Sequence, residues 1–182
     1  MGWRLSCAPG ELKRAEEVAK LTAQAGMEVV SYGSYYRVGH DKESPFRDIL
    51  DTAIQLKAPA IRVWAGKLGS GEASEDERKR VVNDARRIAA MAHEHQILIN
   101  FEYHGGTLTD TKESAVRLME EINHPNAFLY WQPAVEEAVE RRIDSIYDVS
   151  PWLTHVHIFH WEGRDKRPFD EGLMNGASIC KP

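Results

Sequence analysis

The 182 residues carry a net charge of −5 and are 42% apolar and 28% charged, a composition ordinary for one globular core. Acids and bases are interleaved, as in Glu77-Arg78-Lys79-Arg80, which reads as a solvated helix face; with no basic stripe to neutralise phosphates, no nucleic-acid partner is expected. No stretch approaches the roughly 20 apolar residues of a membrane span, and Cys7 and Cys180 lie near opposite ends without metal or redox spacing, so no membrane partner and a reducing, cytoplasmic setting are expected.

The first expected element is a helix from Glu11 to Ala25, with Leu12, Ala15, Val18 and Ala19 at helical spacing and Gly26 as its stop. A short apolar run, Met27 to Ser31, predicts a strand. Ser44-Pro45 then predicts an N-cap followed by proline at the first helical position, with Ile49, Ala53 and Leu56 as the buried stripe. Ala60 to Ala65 reads as the next strand and Glu75 to His95 as a helix, acidic at its start and alanine-rich at its end. Ile97 to Tyr103 is a third strand, nearly continuous in apolar residues, as expected of a strand covered on both faces. Asp110 followed by Glu113 resembles a capping box for a helix through Ile122. Ala127 to Gln132, a helix from Ala134 to about Asp148, the Pro151 break and a last run, Thr154 to Phe159, complete the series. The strand starts recur at about thirty-residue intervals, the length of a strand with its crossover helix. One α/β domain over 1–182 with a mostly parallel sheet follows, and periodicity alone leaves an open sheet and a barrel equally possible.

In parallel α/β folds the chemistry gathers where strands end. Those positions are polar here: Glu102-Tyr103-His104-Gly105-Gly106 closes the third run, Trp131-Gln132-Pro133 the fourth, and His155-Val156-His157-Ile158-Phe159-His160-Trp161 occupies the fifth. A carboxylate, an amide and imidazoles from three successive strands suit a divalent cation with mixed oxygen and nitrogen ligands, Mn²⁺ or Mg²⁺ before Zn²⁺ or Co²⁺. His155, deeper in its strand, reads instead as a satisfied core histidine. His104 is placed to bond a substrate hydroxyl or to cap the Gly105-Gly106 turn. Trp64 and Trp131 are candidates to wall a sugar pocket or to pack within the barrel; Arg62 brings a charge to the substrate if its face is inward and otherwise decorates the helix layer, and Arg164 is a candidate to pair with a phosphate or carboxylate or to lie at the surface.

The stretches Phe101 to Thr107, Leu129 to Pro133 and Thr154 to Trp161, preceded by Ser31 to Tyr36 and Ile61 to Gly66, resemble successive strand ends of the xylose-isomerase-like sugar phosphate isomerase and epimerase superfamily. The resemblance runs from about Glu11 to about Trp161 and implies a (β/α)8 TIM-barrel-like fold. Such a barrel takes about 250 residues, so an incomplete one is expected here, lacking the first βα unit and the last strand. In that superfamily a divalent metal is held by a Glu, an Asp, a His and a Glu from the last four strands. The resemblance puts Glu102 at the first position and His157 at the third, Gln132 where the aspartate stands, and nothing at the fourth. A divalent ion with Glu102 as its one charged ligand keeps a formal charge of about +1, which predicts a weakened site.

The implied function is metal-assisted proton transfer on a sugar, sugar phosphate or polyol, with Glu102 as the acid/base group and activity impaired by its missing partner. The alternative is a non-catalytic barrel remnant that binds a sugar-like ligand or pairs with a second copy, a homo-oligomer covering the open edge. A metal-dependent phosphodiesterase of the same superfamily is the third reading, disfavoured by the acidic charge.

Overall fold

Apolar runs joined by crossovers of about thirty residues return each strand parallel to the last. The computed structural model of the protein, which describes residues 6–40, 45–133, 139–162 and 165–168, has this architecture. Strands β1 (Tyr32–Arg37), β2 (Ala60–Trp64), β3 (Leu98–Glu102), β4 (Ala127–Trp131) and β5 (Leu153–Val156) form one parallel sheet whose spatial order is the chain order. Helices α1 (Leu12–Gln24), α2 (Phe46–Leu56), α3 (Glu75–His93), α4 (Lys112–Ile122) and α5 (Val139–Val149) alternate with them, and a short antiparallel hairpin, β6 (His160–Glu162) with β7 (Asp165–Arg167), follows. No described helix is long and apolar enough to cross a membrane.

The first strand lies later than the apolar run that suggested it. Tyr32 pairs with Ile61, so β1 starts level with β2, and Met27 and Val30 precede that register with exposed side chains. Pro45 takes the N-cap position of α2 rather than its first turn, and Ser44 lies outside the described residues. The cap of α4 is Thr111, whose hydroxyl accepts the Ser114 amide, rather than Asp110. Asp110 instead accepts the Ser70 amide at 2.9 Å, which ties the loop after β2 to the loop after β3. The charged run in α3 is solvated only in part, because Arg78 is buried against α4: it donates to Glu121 at 2.6 Å and to both oxygens of Ser114.

Parallel pairing places register partners on the same face, and the two faces of this sheet differ sharply. Ile61 and Val63, Ile99 and Phe101, and Leu129 and Trp131 all lie in the core. On the other face the register runs Gly33, Arg62, Asn100, Phe128 in one row and Glu102, Tyr130, His155 in the next. Alternation, rather than a continuous apolar strand, therefore describes β3, and it puts the polar residues of every central strand on one side.

Candidate functional site

Glu102 ends β3 on the polar face and is only 4% exposed. Its Oε2 accepts the Trp64 indole N–H at 2.5 Å, and its Oε1 accepts from Arg62 Nη1 at 3.3 Å. Both partners come from β2, two residues apart and so on the same side of that strand. A guanidinium has five N–H donors, and among the described residues this long contact is the one hydrogen bond assigned to the Arg62 side chain, which is 17% exposed. The cation is instead flanked by rings, with its carbon 5.2 Å from the centroid of Tyr35 and 5.9 Å from that of Tyr130. Arg37 packs over the Trp64 ring at 4.3 Å.

The loop after β3 is pinned from below by two buried hydroxyls, Thr109 donating to the Glu102 carbonyl at 2.6 Å and Thr107 to the His104 carbonyl at 2.7 Å. That anchoring sets the His104 ring 4.9 Å from Trp64. Its Nδ1 lies 2.7 Å from the Gly105 carbonyl, which can only accept, so Nδ1 carries the proton and Nε2 of the neutral ring keeps a free lone pair.

A second cluster lies one and two strands away. His157 Nδ1 meets Gln132 Oε1 at 3.1 Å, so the amide oxygen accepts at that nitrogen and fixes the ring. Tyr130, the register partner of Glu102, packs edge-on to His157 and face-on to His155, while His155 Nδ1 lies 2.8 Å from the Asn100 amide nitrogen. Glu102 is thus joined to Arg62 and Trp64, and Gln132 to His157, with Tyr130 touching His157. Among the described residues no three His, Cys, Asp or Glu side chains gather as a metal-binding group, so a cation here depends on the Gln132 amide as well. The donor types, a carboxylate, an amide oxygen and an imidazole nitrogen, fit a hard divalent ion, and Arg62 beside Glu102 opposes it.

Trp131 does not join the site. Its indole is 1% exposed on the opposite face, where Nε1 donates to Ser145 of α5 at 2.9 Å. Arg164 lies outside the described residues. Asn100, Thr107, Thr109, Tyr35 and Tyr130 are the members that spacing did not single out; a two-residue step back from Glu102 reaches Asn100, but the others emerge only from register and loop geometry.

Gly33 is what lets Arg62 lie across β1, since a Cβ there would stand 3.0 Å from Nη2 and 3.4 Å from Cζ. Gly33→Ala is expected to displace the guanidinium from Glu102 while keeping the fold, because the crowded atoms belong to a flexible side chain. Thermal unfolding should show a shift of a few degrees at most, about 1 kcal/mol. A loss as large as that of a core cavity would show that the backbone, not Arg62, bears the clash.

Residues 6–181 match the family model described as xylose isomerase-like TIM barrel. The chain is similar to a 3-dehydroshikimate dehydratase of Bacillus anthracis, at 35% identity over 108 residues, or 56% of this chain and 37% of that protein. It spans little more than a third of that relative. Among solved structures, the probable 3-DHS dehydratase AsbF of Bacillus anthracis superposes with a TM-score of 0.69 at 21% identity, over 92% of this chain and 73% of that one. D-allulose 3-epimerase from Methylomonas sp. in complex with D-allulose superposes with a TM-score of 0.68 at 18% identity, over 94% of this chain and 68% of that one. At such identities the two structures establish the fold.

Proposed function

Since the chain belongs to the xylose isomerase-like TIM barrel family, we propose that its polar face binds a small, hydroxylated, anionic substrate, a sugar phosphate or a cyclic hydroxy acid, and moves a proton at the carbon beside its carbonyl. Epimerisation next to a carbonyl and loss of a β-hydroxyl from a ketone both begin by removing that proton, so one site chemistry spans the relatives named above. The observation that carries the reading is the Arg62–Glu102–Trp64 cluster: a buried carboxylate beside a half-buried guanidinium that, among the described residues, makes one long hydrogen bond.

In this reading Arg62 takes the anionic group in a bidentate contact and loosens its long bond to Glu102. Trp64 keeps its indole N–H on one carboxylate oxygen, which orients the other toward the substrate. The Nε2 lone pair of His104 accepts from a substrate hydroxyl, and Arg164 is a further candidate for the anionic end. Glu102, Gln132 and His157 would hold a divalent metal, which when bound polarises the substrate oxygen and stabilises the enolate charge. Incubation with sugar phosphates and cyclic hydroxy ketoacids in D₂O, followed by proton NMR, tests the assignment. Deuterium should appear at the carbon next to the carbonyl, and a panel without wash-in would sink it.

Gln132→Asp restores an anionic ligand beside His157. Calorimetric titration with Mn²⁺ should then show tighter binding than in the parent, on the order of tenfold, as one added charge at a partly exposed site allows. Equal affinities would remove Gln132 from the metal shell and leave it as the partner of His157 alone.

A second reading, a binding or self-associating module, is favoured by β1 and β5 as the outer strands of the sheet among the described residues, together with exposed Met27 lining a groove of about 790 Å³ between α1 and α2. Sedimentation should then give a dimer, and a monomer at high concentration argues against it.

A further inference from the structure

Tyr35 stands out in backbone, exposure and contacts at once. Four described residues other than glycine have positive φ. Lys57 and Asn123 are the C-caps of α2 and α4, and Gln96 lies in the turn after α3, all places where a left-handed residue ends a helix. Tyr35, at φ 57, is inside a strand, and a bulky aromatic residue adopts that conformation only where its surroundings impose it. They do so through a bulge: the β1–β2 register slips between Gly33 and Arg37, the Ser34 hydroxyl donates to the Arg62 carbonyl at 2.8 Å, and the Tyr36 amide donates back to that hydroxyl at 3.3 Å. Tyr36 on the next position is buried in the core, so the bulge throws one ring inward and its neighbour outward.

The outward ring does not simply enter solvent. It stands edge-on to Trp64 at 5.4 Å and 79°, and beside the Arg62 guanidinium at 5.2 Å, while remaining 61% exposed. Tyr35 and Tyr130 therefore flank one cation, the outer ring held by a strained backbone and the inner one by the sheet. An aromatic face next to an anion-binding fork is complementary to a flat ring carrying a carboxylate: the carboxylate takes the fork and the ring plane meets the aromatic wall.

We infer that Tyr35 is a specificity-determining residue of this site, a bulge-mounted wall that selects flat, carboxylate-bearing rings over puckered ones. The inference rests on the reading of Arg62 as the anion-binding residue. It narrows the substrate class to cyclic carboxylates with a flat ring.

Benzoate and cyclohexanecarboxylate carry the same charge and differ in flatness, so NMR titration of the protein with each isolates the wall from the fork. The parent should bind benzoate about three- to tenfold more tightly, the range expected of one aromatic contact. Tyr35→Gly should erase that preference, bringing benzoate down to the affinity of cyclohexanecarboxylate in the same variant, Tyr35→Phe should keep it, and Arg62→Ala should lose both ligands. Glycine accepts positive φ without strain, so Tyr35→Gly should unfold no earlier than the parent. A preference that survives in Tyr35→Gly, or its absence from the parent, overturns the inference while the Arg62 reading stands. If the parent binds neither carboxylate, both fall.

Discussion

Glu102→Gln is expected to lower proton-transfer turnover by about 10²–10⁴-fold, the usual cost of losing a positioned acid/base group. The substitution keeps an oxygen for the Trp64 indole N–H but turns an amide nitrogen toward Arg62, donor facing donor. The guanidinium, at 17% side-chain exposure, then loses its one assigned counter-ion, which should also cost about 1–3 kcal/mol of stability. Deuterium wash-in measures the first effect and chemical denaturation the second. Glu102→Ala goes further and should abolish Mn²⁺ binding, since it removes the one carboxylate assigned to the metal. Should that variant bind Mn²⁺ as tightly as the parent, the cation site lies elsewhere.

The other large effect concerns stability alone. Trp131→Ala is expected to cost about 3–5 kcal/mol, because it empties a fully buried indole volume between β4 and α5 and removes the N–H that the Ser145 hydroxyl oxygen accepts. Trp131→Phe should recover most of that loss, leaving roughly the 1 kcal/mol of a missing hydrogen bond. The urea midpoints of the two variants, read beside their benzoate titrations, separate core from site. A Trp131→Ala protein of near-parent stability with impaired ligand binding would return this residue to the pocket wall suggested by its place at a strand end.

Trp131 illustrates what the sequence conveys and what it withholds. Four of the five apolar runs contain or overlap the strands observed, and the parallel order follows from crossover length, because both depend on local pattern. Which face a strand-end residue presents depends on register, where a step of one residue exchanges core for site. Trp64 and Trp131 look alike in sequence, yet Trp64 bonds Glu102 and Trp131 bonds Ser145. The first strand departs from its apolar run for a related reason: Met27 to Ser31 is largely apolar, but register with β2 begins only at Tyr32, opposite Ile61. Arg62 and Glu102 are named from strand ends without any sign in the spacing that they meet. Tyr35 carries no signal at all, since positive φ is announced by glycine or asparagine and here is imposed by the bulge.

The sheet's spatial order, β1 to β5 without a skipped neighbour, bears on how the molecule is made. Among the described residues each of β2 to β5 pairs with the strand synthesised just before it, so these pairings close loops of roughly one βα unit. That order permits vectorial assembly, in which a unit clearing the ribosome meets a docking edge already laid down. The polar face grows in the same direction. In that order of assembly Arg62 would emerge first and meet its carboxylate when β3 arrives, with Gln132 and His157 following.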